Sequence, residues 1–201
     1  MDSAFISTLV HSPWLIAGLY ALIVADAFLV ILPGETAVVV CGALAASTGS
    51  PSLWVVIPVA AAAALSGDLL CYAAGRFLRV DRLAVLQRSR VAAMLERTQR
   101  LINTRSAVLI FTARYIPFAR IVVNVSSGMV RLPLRRFLPL ALIACVSWAA
   151  FNATMGAVVG ASFGDQPLLA VAISVPVAVV CGFGIDAVIR IIERRTLAES
   201  D

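Results

Sequence analysis

Two arginines six residues apart, in an otherwise apolar run, make the first candidate site. The string "RYIPFAR" sets Arg114 and Arg120 on either side of Pro117, inside the stretch from Phe111 to Gly128. A guanidinium offers five N–H donors in a planar fork, which suits bidentate contact with a carboxylate or a phosphate. Three acids interrupt other apolar runs: Asp26, Glu35 and Asp68. An ionisable side chain at membrane depth costs from about 2.5 to well over 10 kcal/mol, so such groups are rare and are paired or functional. Two chemistries fit. In one, Arg114 and Arg120 cradle a phosphate headgroup while Asp26 and Glu35 serve as proton-coupling groups, since low dielectric disfavours a charged carboxyl. In the other, the five charges are buried ion pairs that hold the fold together. Asp68 fits the supporting role, as the partner of an arginine.

The rest of the chain says what solvent surrounds these charges. Of the 201 residues, 61% are hydrophobic, and mean hydropathy is +0.98. A soluble domain is roughly half apolar, and here the excess is gathered in long runs. The expected span of one such crossing is about 20 residues. The net charge is +5, and all 16 basic residues are arginines. They lie in loops and apolar runs with no soluble domain to present them, so nucleic-acid binding is not expected. The cysteines Cys41, Cys71, Cys145 and Cys181 stand singly in apolar stretches, and His11 is the lone histidine. Neither a disulfide framework, a metal site nor a cofactor is expected from that pattern. The first 25 residues have no basic n-region and no clear cleavage site, so a cleaved signal peptide is not expected either.

Six apolar segments follow one another: about Ala4–Val24, Asp26–Ala46, Leu53–Gly75, Ala107–Val130, Phe137–Phe163 and Leu168–Ile192. The second is broken at Pro33-Gly34 and the fourth at Pro117. Between the third and fourth, Arg76 to Arg105 holds eight arginines with Leu83, Leu86, Val91, Met94 and Leu95 at helical spacing, the pattern of an amphipathic surface helix. "GDQP" at Gly164 to Pro167 makes a turn, and Asp186 and Arg190 are four apart on the last segment, an ion-pair spacing. Gly156 and Gly160 give the small-xxx-small spacing that lets helix backbones approach and offers a face for self-association.

Arginine-rich loops stay in the cytoplasm. Segment four is flanked by Arg76–Arg105 on one side and Arg131–Arg136 on the other. With both flanks cytoplasmic, it must enter the membrane and return, turning at Pro117, where a missing N–H costs least. Irregular backbone at that depth must be buried in protein or line a watery cavity. Segment two, broken at Pro33-Gly34, is the matching hairpin from the opposite side, and meeting tips would bring Glu35 near Arg120. The expected fold is an all-α integral membrane protein in one domain, residues 1–201. It is an inverted repeat of two re-entrant helical hairpins, each followed by a transmembrane helix, plus flanking helices. Residues 76–105 form a cytoplasmic linker helix, and 193–201 a cytoplasmic tail.

Four stretches resemble one family. "RYIPFAR" (Arg114–Arg120) is similar to the Arg-x-x-Pro-x-x-Arg motif of the DedA family, also called SNARE-associated or VTT-domain proteins. "SSGMVRLPLRRF" (Ser126–Phe137) resembles its Ala-Gly-Met stretch, "DAFLVILPGE" (Asp26–Glu35) its acidic hairpin, and "GDLLCYAAGR" (Gly67–Arg76) its Gly-Asp-x-x-x-Tyr-x-x-Gly-Arg segment. Trp148 and the Gly156–Gly160 pair also fit, so the likeness covers roughly residues 15–165. Asp26 replaces the usual Glu, and Ser127 the usual Ala. The resemblance implies a multi-pass protein of the bacterial inner membrane, with opposed hairpins, that moves a lipid with an anionic headgroup: undecaprenyl phosphate or a phospholipid such as phosphatidylethanolamine. It implies proton coupling and matches Asp26, Glu35, Arg114 and Arg120 to the functional charges. A proton-coupled cation or drug antiporter is the alternative, with the arginines structural. An enzyme is not expected, because no Gly-x-Ser-x-Gly elbow or histidine motif is present. A scaffold would leave the five charges unexplained.

Overall fold

The computed structural model describes residues 12–29, 33–77, 108–114 and 116–162. Every regular element among them is helical. We label the five main helices α1 (Pro13–Asp26), α2 (Gly34–Thr48), α3 (Leu53–Phe77), α4 (Pro117–Met129) and α5 (Leu134–Ser162). A helical stretch, 108–113, precedes α4. The predicted linker helix over Arg76–Arg105 beyond Phe77, the sixth apolar segment with its Asp186–Arg190 pair, the 164–167 turn, the 193–201 tail, His11 and Cys181 lie outside the described residues.

Proline and capping chemistry set the boundaries. Pro13 opens α1, the position where its missing N–H costs nothing. α2 begins one residue after Pro33 and ends against Gly49, whose φ of 77° closes the helix in the left-handed region. Ser52 caps α3: its Oγ accepts from the Trp54 N–H at 3.3 Å. α4 carries Pro117 in its first turn, and Ile116 before it is extended, as a residue preceding proline must be. α5 starts three residues earlier than the sequence pattern places segment five, because the Pro133 carbonyl accepts from the N–H groups of Arg136 and Phe137.

Lengths sort the helices into two kinds. At 1.5 Å per residue, α3 (25 residues) and α5 (29 residues) extend about 37 and 43 Å, enough for a hydrocarbon core of about 30 Å. With 14, 15 and 13 residues, α1, α2 and α4 reach only about 20 Å each. The breaks expected at Pro33-Gly34 and Pro117 fall at helix boundaries: the fourth run becomes two short helical pieces, 108–113 and α4, while helix in the second run begins at Gly34 as α2.

The described helices fall into two compact units. One combines Glu35–Val56 with the part of α5 from Phe151 onward, and is packed backbone to backbone. A Cβ on Gly42 would strike the Ala153 carbonyl, one on Gly156 the Val39 carbonyl, and one on Gly160 the Ala43 carbonyl. The small-residue spacing thus serves close packing of α5 on α2. The other unit combines Pro13–Gly34 with Ile57–Ala150. There α3 and α4 touch in the same manner, with Gly75 against Val125 and Gly128 against Tyr72. Tyr72 stacks on Phe137 at 4.7 Å between ring centroids, over a core that includes Ile110, Val123 and Leu132. Large apolar side chains such as Trp14, Trp54, Phe77, Phe118 and Ile143 point outward.

Candidate functional site

Within the second unit, the interrupted helices deliver their charges to one another. α1 ends at Asp26, where the chain turns through hydrogen bonds from Ala27 to Val24 and from Phe28 and Leu29 to Ala25. The first turn of α4 brings up Arg120, whose Nη2 donates to the Asp26 carbonyl at 3.0 Å and to its Oδ2 at 3.2 Å. Gly34 closes in from the other side: a Cβ there would lie 3.0 Å from Asp26 Cγ, so only glycine fits without displacing the carboxyl.

The second pair lies deeper. Arg114, just past the 108–113 helical stretch, donates through Nη1 to Asp68 Oδ2 of α3 at 2.5 Å. The two side chains are 1% and 5% exposed. α5 supplies the walls: the Trp148 ring lies 4.8 Å from Arg114 Cζ, a cation–π contact, and Cys145 Sγ donates to the same Asp68 oxygen at 3.4 Å. Cys71 donates to the Ala27 carbonyl. The two pairs form one electrostatic cluster, since the charge of Arg114 acts at Asp26 and that of Arg120 at Cys145.

The pairing is incomplete. Arg114 Nε and Nη2, Arg120 Nε, Asn124 Nδ2 and Ser126 Oγ are buried with no hydrogen-bond partner in the protein, and so is Asp68 Oδ1. Setting aside the hydroxyl, which can also accept, four N–H-bearing atoms stand against one carboxylate oxygen among the described residues. Buried donors without partners cost about 1–3 kcal/mol each, more when charged. The excess is of one sign and suits an anion.

The structure thus joins Asp26, Gly34, Asp68, Arg114 and Arg120. Pro33 is exposed just before α2, and Pro117 opens α4. The acid on Arg120 is Asp26, whereas meeting hairpin tips had suggested Glu35. Glu35 sits half-buried in the first turn of α2, where an acid suits the helix dipole, and belongs to the other unit. Asp68 takes the supporting role expected of it. Trp148, Cys145 and Asn124 were not foreseen in the site. Asn124 lies four residues after Arg120 on a helix, and that spacing signals a shared face. Nothing in the sequence ties Trp148 to Arg114.

Long apolar helices that carry buried ion pairs define a helical membrane protein, and two helices here are long and apolar enough to cross a bilayer. Residues 32–158 match the VTT domain. The chain belongs to the VTT-domain family, the DedA membrane proteins. It is similar to the inner membrane protein YabI of Escherichia coli K12, 29% identical over 134 residues, covering 66% of this chain and 52% of that one. It is also similar to an uncharacterized membrane protein of Buchnera aphidicola subsp. Schizaphis graminum, 25% identical over 103 residues, 51% of this chain and 41% of the other. The chain spans about half the length of the curated relatives it matches. No solved structure matches it.

Proposed function

We propose that this protein moves a phosphate-bearing lipid across or within the bacterial inner membrane, as a proton-coupled transporter and not an enzyme. Undecaprenyl phosphate and phospholipids such as phosphatidylethanolamine are the substrate candidates. The observation that carries the reading is the donor excess at the buried pairs. Arg114 and Arg120 each give one Nη to an acid and keep further N–H edges without a protein partner. A phosphate oxygen would fill those edges and neutralise the surplus. Asp26 is the proton-coupling acid in this scheme, because protonating it would release Arg120 toward the headgroup. Glu35 is the second candidate for that task.

The same reading takes the two broken runs as opposed re-entrant hairpins. Two features support an inverted repeat. The breaking prolines Pro33 and Pro117 each precede a long helix that carries a further proline at its sixth position, Pro58 in α3 and Pro139 in α5. Each post-break helix also packs by glycine on the long helix of the other half: α2 on α5, and α4 on α3. The arginine-rich connections and the C-terminus would face the cytoplasm.

The antiporter reading draws on one observation, that each buried arginine has an acid partner. Native mass spectrometry separates the two. Wild-type protein, Arg114→Ala and Arg120→Ala are compared for retention of undecaprenyl phosphate, phosphatidylethanolamine and a neutral lipid. Selective retention that the folded arginine variants lose supports the lipid site. Equal retention in all three makes the arginines structural and leaves the antiporter.

A further inference from the structure

A second basic site lies where α3 ends and α4 passes into α5. A cavity of about 600 Å³ opens there, lined by Tyr72, Arg76, Phe77, Arg131, Pro133 and Leu134 among others. That volume lies within the range of small-molecule sites. Its geometry is fixed by one hydroxyl: Tyr72 Oη donates to the Leu132 carbonyl at 2.5 Å and accepts from Arg76 Nη1 at 2.9 Å. Among the described residues, that hydroxyl takes one of the five N–H donors of Arg76.

Arg131 stands in a place where folding alone would choose glycine. The Arg131 N–H donates to the Gly128 carbonyl and the Leu132 N–H to that of Ser127, which is the Schellman closure of α4. The residue in the left-handed position of that closure is Arg131, with φ 54°. A side chain there strains the backbone, and such strain persists where function holds it. The charge is also misplaced for stability. Arg131, Arg135 and Arg136 crowd the N-terminal end of α5, where the helix dipole is already positive. A bound anion would relieve this repulsion. The walls complete the picture: Phe77 is 81% exposed and Leu134 47%, an apolar surface fit for acyl chains beside the cations. Long apolar α3 and α5 meet here at arginine-bearing ends, as helices do at a bilayer surface.

We propose that this cavity binds the phosphate of an anionic membrane lipid at the bilayer edge, with Arg76 and Arg131 on the phosphate and Phe77 and Leu134 against its chains. Arg76 lies eight residues, about 12 Å of helix, beyond Asp68 on α3. The site is thus separate from the buried pairs and does not depend on their role.

The test is lipid retention by the full-length protein in native mass spectrometry, with dioleoyl phosphatidic acid against dioleoylglycerol, and inorganic phosphate as competitor. Arg131→Gly and Arg76→Gln should each lower phosphatidic acid retention about tenfold, while Arg131→Gly melts no lower than wild type, since glycine accepts its backbone. Undiminished retention in Arg131→Gly overturns the proposal. So does displacement by inorganic phosphate at concentrations equal to the lipid's, which would make this a free-anion site. Loss of retention in Arg120→Ala, with Arg131→Gly unaffected, assigns the lipid to the buried pairs and also overturns it.

Discussion

Breaking the Asp68–Arg114 pair from one side should be far more damaging than replacing both partners. Arg114→Met leaves the Asp68 carboxylate in a site where the pair's side chains are 1% and 5% exposed. Among the described residues, the Cys145 thiol alone remains hydrogen-bonded to the same oxygen, at 3.4 Å. Stranding a buried charge in this way costs about 3–5 kcal/mol. For a chain of this size each kcal/mol corresponds to about 2–4 °C in Tm, so Arg114→Met should melt about 6–20 °C below wild type. Asp68→Leu should fall in the same range, since it strands the guanidinium. The double variant should recover more than half of either loss, because an apolar pair of similar volume is nearly neutral in such a place. The coupling between the two positions, the sum of the single losses less the double, should then exceed about 4 kcal/mol. The buried thiols Cys41, Cys71 and Cys145 report the transition directly, through reaction with a maleimide dye as detergent-solubilised protein is heated. Additive losses in the double variant, or a Tm for Arg114→Met within about 2 °C of wild type, would refute the assignment of a buried, mutually dependent pair.

Glycine substitutions should split by place. Gly75→Ala and Gly156→Ala force a methyl into a carbonyl of the facing helix and should cost about 1–3 kcal/mol, seen as a lower Tm. Gly18→Ala, where nothing lies within 4 Å of the added methyl, should instead gain about 0.5–1 kcal/mol. Trp148→Leu should cost more in wild type than in Arg114→Met protein, with the difference, about 1–2 kcal/mol, measuring the cation–π contact in a thermal double-mutant cycle. Ser126→Ala removes a fully buried hydroxyl that has no partner and should raise Tm by about 2–4 °C; a drop would mean that the hydroxyl is satisfied in solution.

The residues that break helices were legible because their effect is local. Pro33 and Pro117 break apolar runs in the sequence, and in the structure each stands at the start of a helix. The clustering of charges was legible too, since membrane depth leaves an ionisable group few options. The choice of partners was not. Asp26 and Arg120 are 94 residues apart and Asp68 and Arg114 are 46, and no periodicity connects such distances. Asp26 reaches Arg120 because α1 ends at the point where α4 begins, a fact of tertiary placement. Trp148 escaped for the same reason: an aromatic residue on a long apolar helix reads as lipid-facing or core until the helix opposite it is known.

The incomplete pairing is the feature that a purely structural account explains least. Two acids and two arginines would suffice to neutralise one another, yet the guanidinium edges that remain outnumber the one open carboxylate oxygen. In the interior of a lipid-embedded protein those edges must meet water or a ligand. Either requires a route from the bilayer surface to α3 at Asp68, and a lipid phosphate can travel such a route only with its chains still in the hydrocarbon. Under the proposed function, Arg76 at the surface cavity and Asp68, about 12 Å away along the same helix, would be the two ends of that route. An anionic headgroup would then exchange one set of guanidinium contacts for another as it moves. A small cation could also reach Asp68, but it would gain nothing from Arg76 or Arg131 on the way.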